Sequence, residues 1–214
     1  MKNNRKRIRI RMGIALATLA GTVAVAGPVS AASGPSTQTI ADILLADSAK
    51  DNAEGFDRNW HDYDIVTQAV LLFPDLVAAA SDPKANLTVL APNDAAFRTL
   101  VQDLTKKRPR TEADTFAAIA GLGTDTVKTV LQYHIVGSRL SPSAVLSSNN
   151  AVITPLAGGT WTVKVRNPKV AFVQFVDNDP TDRSPFLNRI NVGGGELANG
   201  FIHGIEKVLR PIDL

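Results

Sequence analysis

The sequence of 214 residues contains no cysteine and only three histidines. Without cysteine the chain has no disulfide, no thiolate metal ligand and no thiol nucleophile. It also offers no N-terminal cysteine for lipid modification. These absences exclude disulfide-scaffolded domains and thiol enzymes, so the fold must be held together by packing of apolar side chains.

The three histidines, His61, His134 and His203, are far apart in the sequence and form no His-x-x-x-His pair. A zinc site would need them to converge from separate elements. His134 shares a predicted helical face with Val127 and Val130, which favours a buried, hydrogen-bonded histidine over a ligand. We therefore predict no metal site.

Motifs for catalysis are also missing. The chain has no Gly-x-Ser-x-Gly and no phosphate loop, and no carboxylate pair stands out. The segment DNDPTD at 177–182 resembles the start of a calcium loop, but its sixth position is Asp182 instead of glycine and its twelfth is Asn188 instead of glutamate. A turn explains the same residues, and weak calcium binding is the alternative. We predict no catalytic residue and no cofactor, so the chain is not expected to be an enzyme.

The N-terminus has the pattern of a secretory signal peptide. Residues 1–11 carry six basic side chains and no acidic one, and the apolar stretch 12–27 ends at Pro28 and the small residues before Ala31. The stretch is too short for an ordinary membrane span, although an uncleaved anchor is the alternative. We predict cleavage of residues 1–31 and no membrane segment in the mature protein.

Cleavage changes the sign of the net charge. Removing six basic residues from the 23 of the whole chain leaves 17 against 20 acidic residues, a net charge of −3. A nucleic-acid-binding surface would need a clear basic excess. We therefore predict no nucleic-acid partner.

The mature chain reads as a linker at 32–38 followed by one domain at 39–214. Helical patterns come first, at 39–45, 64–76 with a break at Pro74, 94–104, 112–120, 125–134 and a turn opened by Ser141-Pro142. Patterns typical of strands dominate later, at 151–155, 160–166, 170–176, 189–192 and 201–209. Helices followed by strands indicate the α+β class.

One stretch, TVLAPNDAAF, predicts a strand that passes directly into a helix. Pro92 ends the strand because it has no N–H for the next ladder bond. Asn93 can cap the following helix, and Asp94 suits its positive end. Phe97 begins an apolar helical face. The stretch is therefore rich in structural signals and carries no reactive group.

Three segments together, in this order and spacing, resemble the fasciclin (FAS1) domain family. They are TVLAPNDAAF at 88–97, LQYHIVG at 131–137 and GFIHGIEKVLRP at 200–211. Leu90 replaces a phenylalanine of the family pattern and Asn93 replaces a threonine. The resemblance covers about 39–211, and secreted single-domain bacterial members look most similar. The matched motif positions are Thr88, Val89, Ala91, Pro92, Asn93, Phe97, Gly200, Ile202, His203, Val208, Leu209 and Pro211.

The resemblance implies a FAS1 fold, a wedge-shaped β-sandwich with a flanking group of α-helices. It implies that the two end motifs lie side by side and act mainly in the architecture. It further implies a secreted, non-enzymatic module for cell adhesion or for binding an unknown extracellular protein or a component of the cell surface or matrix. Tyr133 and His134 correspond to the pair that is the usual adhesion candidate in animal relatives. The residue pattern places His134 inside, so its mutation is expected to act through stability.

Insertions relative to shorter members lie at about 46–62, 103–114 and 177–198. Long loops often carry binding functions, which makes Trp60 and His61 candidate binding residues. Some secreted fasciclin-like proteins bind carotenoids, so the alternative function is a soluble extracellular carrier of an apolar ligand. Its candidate groove residues are Phe56, Trp60, Phe73 and Phe116, which otherwise serve as core and loop anchors.

Overall fold

The structure is a computed structural model that describes residues 36–48 and 55–211. The predicted signal peptide 1–31 lies outside the described residues, as do 32–35 of the predicted linker, 49–54 of the first insertion and 212–214. The helices are α1 (Ile40–Ser48), α2 (Asp64–Leu71), α3 (Pro74–Ser81), α4 (Asp94–Thr105), α5 (Glu112–Ala120), α6 (Thr124–Tyr133) and α7 (Pro142–Ser147). The strands are β1 (Leu87–Pro92), β2 (Ile135–Val136), β3 (Val152–Ile153), β4 (Trp161–Asn167), β5 (Phe172–Val176), β6 (Leu187–Arg189) and β7 (Gly200–Ile205).

The helix boundaries follow the signals in the sequence. The break predicted at Pro74 is confirmed, because α2 ends at Leu71 and Pro74 occupies the first turn of α3. The predicted cap of α4 is also confirmed, since the side chain of Asn93 accepts a hydrogen bond of 3.0 Å from the Ala96 N–H. Local chemistry therefore determines where these helices begin.

The strands form two sheets. One has the order β2-β1-β7-β6, and the other has the order β3-β4-β5 with antiparallel neighbours. In the first sheet β1 and β7 pair in parallel, from Leu87 opposite Gly200 to Pro92 opposite Ile205. The first and last motifs therefore lie side by side, which confirms the expectation drawn from the family resemblance.

Two strand predictions extend three or four residues beyond the C-terminal ends of the observed strands. The strand predicted at 189–192 is β6 and ends at Arg189, because Asn191 adopts a left-handed conformation with φ of 58°. The strand predicted at 201–209 is β7 and ends at Ile205. Beyond it the Leu209 N–H donates to a histidine side chain, which takes the backbone out of the ladder.

The apolar side chains form two clusters. The larger one joins the helices to the first sheet and includes Ile65, Phe97 and Ile202. The smaller one joins the two sheets around Trp161 and Phe175, whose rings meet edge to face with centroids 5.4 Å apart. The helices thus pack against the first sheet and the second sheet packs against the first, which confirms the α+β class.

The described helices were compared with the length and composition that a membrane span requires. No single one of them is long and apolar enough to cross a membrane, and only α2 and α3 taken together pass by length and composition, with a bend of 113° between them.

Candidate functional site

Tyr133 is part of the core instead of the surface. The residue is fully buried, and its hydroxyl donates a hydrogen bond of 2.7 Å to the carbonyl oxygen of Thr160. Burial raises the pKa of the Tyr133 hydroxyl to about 12. The side chain therefore ties the end of α6 to the second sheet.

His134 is buried beside it and links α6 to the last motif. Its Nδ1 lies 2.7 Å from the carbonyl oxygen of Val130 and donates to it, so Nε2 is free to accept from the Leu209 N–H at 2.9 Å. Burial lowers the pKa of His134 from 6.5 to about 4. The prediction that His134 points inward is confirmed.

We expect His134→Ala to lower the free energy of unfolding by about 2–4 kcal/mol, because it leaves two buried backbone groups without partners and opens a cavity.

The pH dependence of stability gives a second prediction for His134. Because its pKa is lower in the folded state than in the unfolded state, neutral His134 stabilises the domain above pH 6.5, and this contribution is lost as the pH falls toward 4. The wild type should therefore lose stability over this range more steeply than His134→Gln. Urea unfolding at several pH values measures both effects, with the exposed His61→Ala as control. Wild-type stability in His134→Ala would contradict the structural role.

His203 is a second buried histidine whose ring links two backbone segments. It is fully buried, its Nδ1 accepts from the Asn191 N–H at 3.1 Å, and its Nε2 donates to the Leu140 carbonyl oxygen at 2.8 Å. Burial lowers its pKa. Within the described residues, the side-chain groups spaced to hold a metal contain no histidine.

Of the four aromatic residues considered for an apolar groove, three pack in or against the larger core cluster, and Trp60 is not part of it. Phe73 is only 4% exposed and belongs to the larger core cluster. Phe56 packs on Phe116 with ring centroids 5.8 Å apart, whereas Trp60 lies under the Arg98 guanidinium at 4.1 Å. The structure therefore does not bring all four into one groove.

The carboxylates of the 177–182 loop are bound by other groups of the chain itself. Arg210 is 5% exposed and its backbone N–H donates to Asp177 at 2.9 Å. Its guanidinium contacts Asp179 at 3.4 Å and Asp103 at 3.0 Å. These contacts join the second and third insertions and favour the interpretation of the loop as a structural turn.

Three helix N-termini converge on a buried acidic cluster that sequence reasoning missed. Asp64, Asp94 and Glu112 are the first residues of α2, α4 and α5, all are buried, and one carboxylate oxygen from each lies within 4.8 Å of the others. Such oxygens suit the positive ends of helices, and they are also ligands that calcium and magnesium prefer. The only sequence signal was an acidic residue at each helix start.

Asp62 and Asp94 form a carboxyl pair next to this cluster. The two carboxyl groups lie close enough for one to donate a hydrogen bond to the other when it is protonated, and burial raises the pKa of both, most strongly that of Asp94. Asp94 also accepts a hydrogen bond of 2.9 Å from the Ile65 N–H at the start of α2. A carboxyl group that donates to a second one keeps its proton, so the pair holds a proton between α2 and α4.

The backbone of 60–62 is fixed on the N-terminus of α4. The Asp94 N–H donates to the Asp62 carbonyl oxygen at 3.1 Å, and the Ala95 N–H donates to the Trp60 carbonyl oxygen at 2.9 Å. These bonds satisfy helix donors that would otherwise lack partners. His61 lies between Trp60 and Asp62, so its backbone is held in place by these bonds while its side chain is exposed.

A pocket of about 470 Å³ opens where the first and third insertions meet, and we call it the insertion pocket. Its volume lies in the range of about 300–1,000 Å³ that is usual for ligand sites. It brings His61, predicted from sequence, together with Arg189, which was not. The residues that define it here are Ile43, Asp47, Asn59, His61, Asp62, Tyr63, Arg189, Val192 and Gly193.

Comparison with known proteins agrees with this architecture. The family model described as Fasciclin domain matches residues 63–211. No curated protein matched the chain. Among solved structures, the chain is similar to a FAS1 domain pair from the insect cell adhesion molecule fasciclin I, with 13% identity and a TM-score of 0.56 over 82% of this chain and 51% of that one. The chain thus spans about half the length of that solved chain, and the likeness shows the fold alone. Since the family model matches more than half of the sequence and the fold agrees, the chain belongs to the fasciclin domain family.

Proposed function

We propose that the protein is exported and acts outside the cell as a non-enzymatic binding module, at the cell surface or in the surrounding matrix. Fasciclin domains are generally binding modules of this kind, and many are extracellular. The basic and apolar residues at 1–27 support export. The partner is an extracellular protein or a component of the surface or matrix.

The observation that carries this proposal is how the motif side chains are used. The Tyr133 hydroxyl and both ring nitrogens of His134 and His203 form hydrogen bonds inside the domain. These groups are therefore committed to architecture, and a partner must be recognised elsewhere. The meeting point of the first and third insertions supplies such a place, with His61 and Arg189 exposed.

A carrier of an apolar ligand is the alternative, and the described residues favour it less. Two apolar pockets lie against the helices, one beside Phe97 and Val130 and one beside Leu45 and Leu71, and each has a cavity volume of only about 20 Å³. A carotenoid needs a groove many times larger.

The test uses the full chain expressed in a secreting host and purified from the medium. We expect an intact mass that begins at residue 32, and saturable binding of the labelled protein to cells or matrix of the source organism. An uncleaved chain retained in the cells, or the absence of saturable binding to either material, would overturn the proposal. A bound apolar molecule, seen as extra mass lost on denaturation or as absorption above the protein band, would favour the carrier instead.

A further inference from the structure

We propose that the insertion pocket binds an uncharged saccharide unit, such as a sugar of a cell-surface or matrix glycan. This inference rests on the proposed function and names the chemical class of the partner. It draws on the polar groups of the pocket, on its charge balance and on the rigidity of its walls.

The pocket offers hydrogen-bond acceptors and donors on separate segments of the chain. The Asp62 side chain lines it and, apart from the Asp94 carboxyl group, has no hydrogen-bond partner among the described residues. Asn59 accepts from the His61 N–H through its Oδ1, which leaves its amide N–H groups free to donate. The Arg189 guanidinium also lines the pocket and makes no side-chain hydrogen bond within the described part of the chain. A sugar hydroxyl both donates and accepts, so neighbouring hydroxyls match such a mixture.

Apolar groups complete the lining on one side. Ile43 of α1 and Val192 contribute aliphatic surface to the pocket. Gly193 lets the backbone of the third insertion pack closely on Ile43, because a Cβ at this position would lie only 3.3 Å from the Ile43 side chain. A sugar ring presents C–H groups on its faces and hydroxyls at its edge, which fits a pocket lined by both apolar and polar groups.

The charge balance argues against an ionic ligand. Arg189 is a cation and Asp47 and Asp62 are acids, so the lining presents charges of both signs. An anion such as phosphate would meet carboxylates, and an ammonium group would meet the guanidinium. An uncharged ligand avoids both repulsions.

The walls of the pocket are preorganised. The backbone bonds from α4 to Trp60 and Asp62 fix one wall, and Arg189 lies on β6, opposite Gly204 of β7. A site on rigid elements loses little conformational entropy when it binds, which matters for a ligand that depends on many weak hydrogen bonds.

The test is isothermal titration calorimetry of the purified protein with glucose, galactose, mannose, N-acetylglucosamine and their β-linked disaccharides. We expect saturable binding of at least one of them. Arg189→Ala and Asp62→Asn should each weaken it by about tenfold or more, as expected for loss of a charge-assisted hydrogen bond. Arg166→Ala is the matched control, because Arg166 is an exposed arginine of β4 outside the pocket.

Thermal unfolding of each variant shows whether it is folded. If Asp62→Asn does not fold, Arg189→Ala alone still tests the inference. The inference fails if no saccharide binds, if both folded variants bind as the wild type does, or if ethylammonium or acetate binds more tightly than every saccharide. Surface binding that persists without any saccharide binding would overturn this inference and leave the proposed function standing.

Discussion

Replacing Gly200 by alanine is expected to destabilise the domain by more than about 4 kcal/mol, at the extreme of single substitutions. Gly200 begins β7 opposite Leu87 and has a φ of 147°, which residues with a side chain rarely adopt. A Cβ built there lies 1.8 Å from the Leu87 carbonyl oxygen and 2.8 Å from its carbonyl carbon. Since both are backbone atoms, relief requires β1 and β7 to separate. Soluble yield and urea unfolding followed by circular dichroism measure the loss.

Gly195→Ala is the matched control. A Cβ at Gly195 meets nothing within 4 Å, and the residue has no left-handed backbone conformation. We expect its stability to stay within about 0.5 kcal/mol of the wild type. If Gly200→Ala were equally stable, the parallel pairing of the two end motifs in this register would be incorrect.

Replacing Asp94 by asparagine is expected to make the domain increasingly more stable than the wild type as the pH rises. The pKa of Asp94 is raised in the folded state by burial and by its neighbour Asp62. Such a group stabilises the fold fully below its unfolded pKa and loses this contribution as the pH rises toward its folded pKa. Asparagine can donate to Asp62 as the protonated acid does, but it does not titrate. Between about pH 5 and 8, the difference in free energy of unfolding should grow by up to about 1.4 kcal/mol per pH unit.

Urea unfolding of the two proteins across this range gives the slope. Asp94→Ala is the control, because it removes the hydrogen bonds to Ile65 and Asp62 and should be less stable than the asparagine variant at every pH. A constant difference between Asp94→Asn and the wild type would mean that Asp94 is ionised in the folded domain, and the shared proton would be ruled out.

Much of the fold could be predicted from the sequence. Local signals place the helix starts, because the Asn93 cap, the Pro74 break and the Ser141-Pro142 start each act within a few residues. The three family motifs identify the fold, since the family resemblance implies that the two end motifs lie side by side, as β1 and β7 do. Both kinds of prediction depend on residues that are close in sequence or already tied together by the family pattern.

The site could not be predicted in the same way. Asp62 and Asp94 meet because two helix N-termini converge, and Arg189 reaches the insertion pocket through the order of strands in the first sheet. Neither contact leaves a periodic signal in the sequence. The end of β6 was missed for a related reason, because the left-handed turn at Asn191 depends on a hydrogen bond to the distant His203. Insertions have no family pattern to guide them, so their contacts emerge only in three dimensions.

The central claim is that the family motifs build the domain and that the insertion pocket recognises the partner. Binding of labelled, folded protein to cell surface or matrix tests it most directly, with Arg189→Ala compared against Tyr133→Phe. We predict that Arg189→Ala weakens binding about tenfold or more, whereas Tyr133→Phe binds as the wild type does and loses about 1 kcal/mol of stability with its hydrogen bond to Thr160. The opposite result, binding lost in folded Tyr133→Phe and unchanged in Arg189→Ala, would contradict the account.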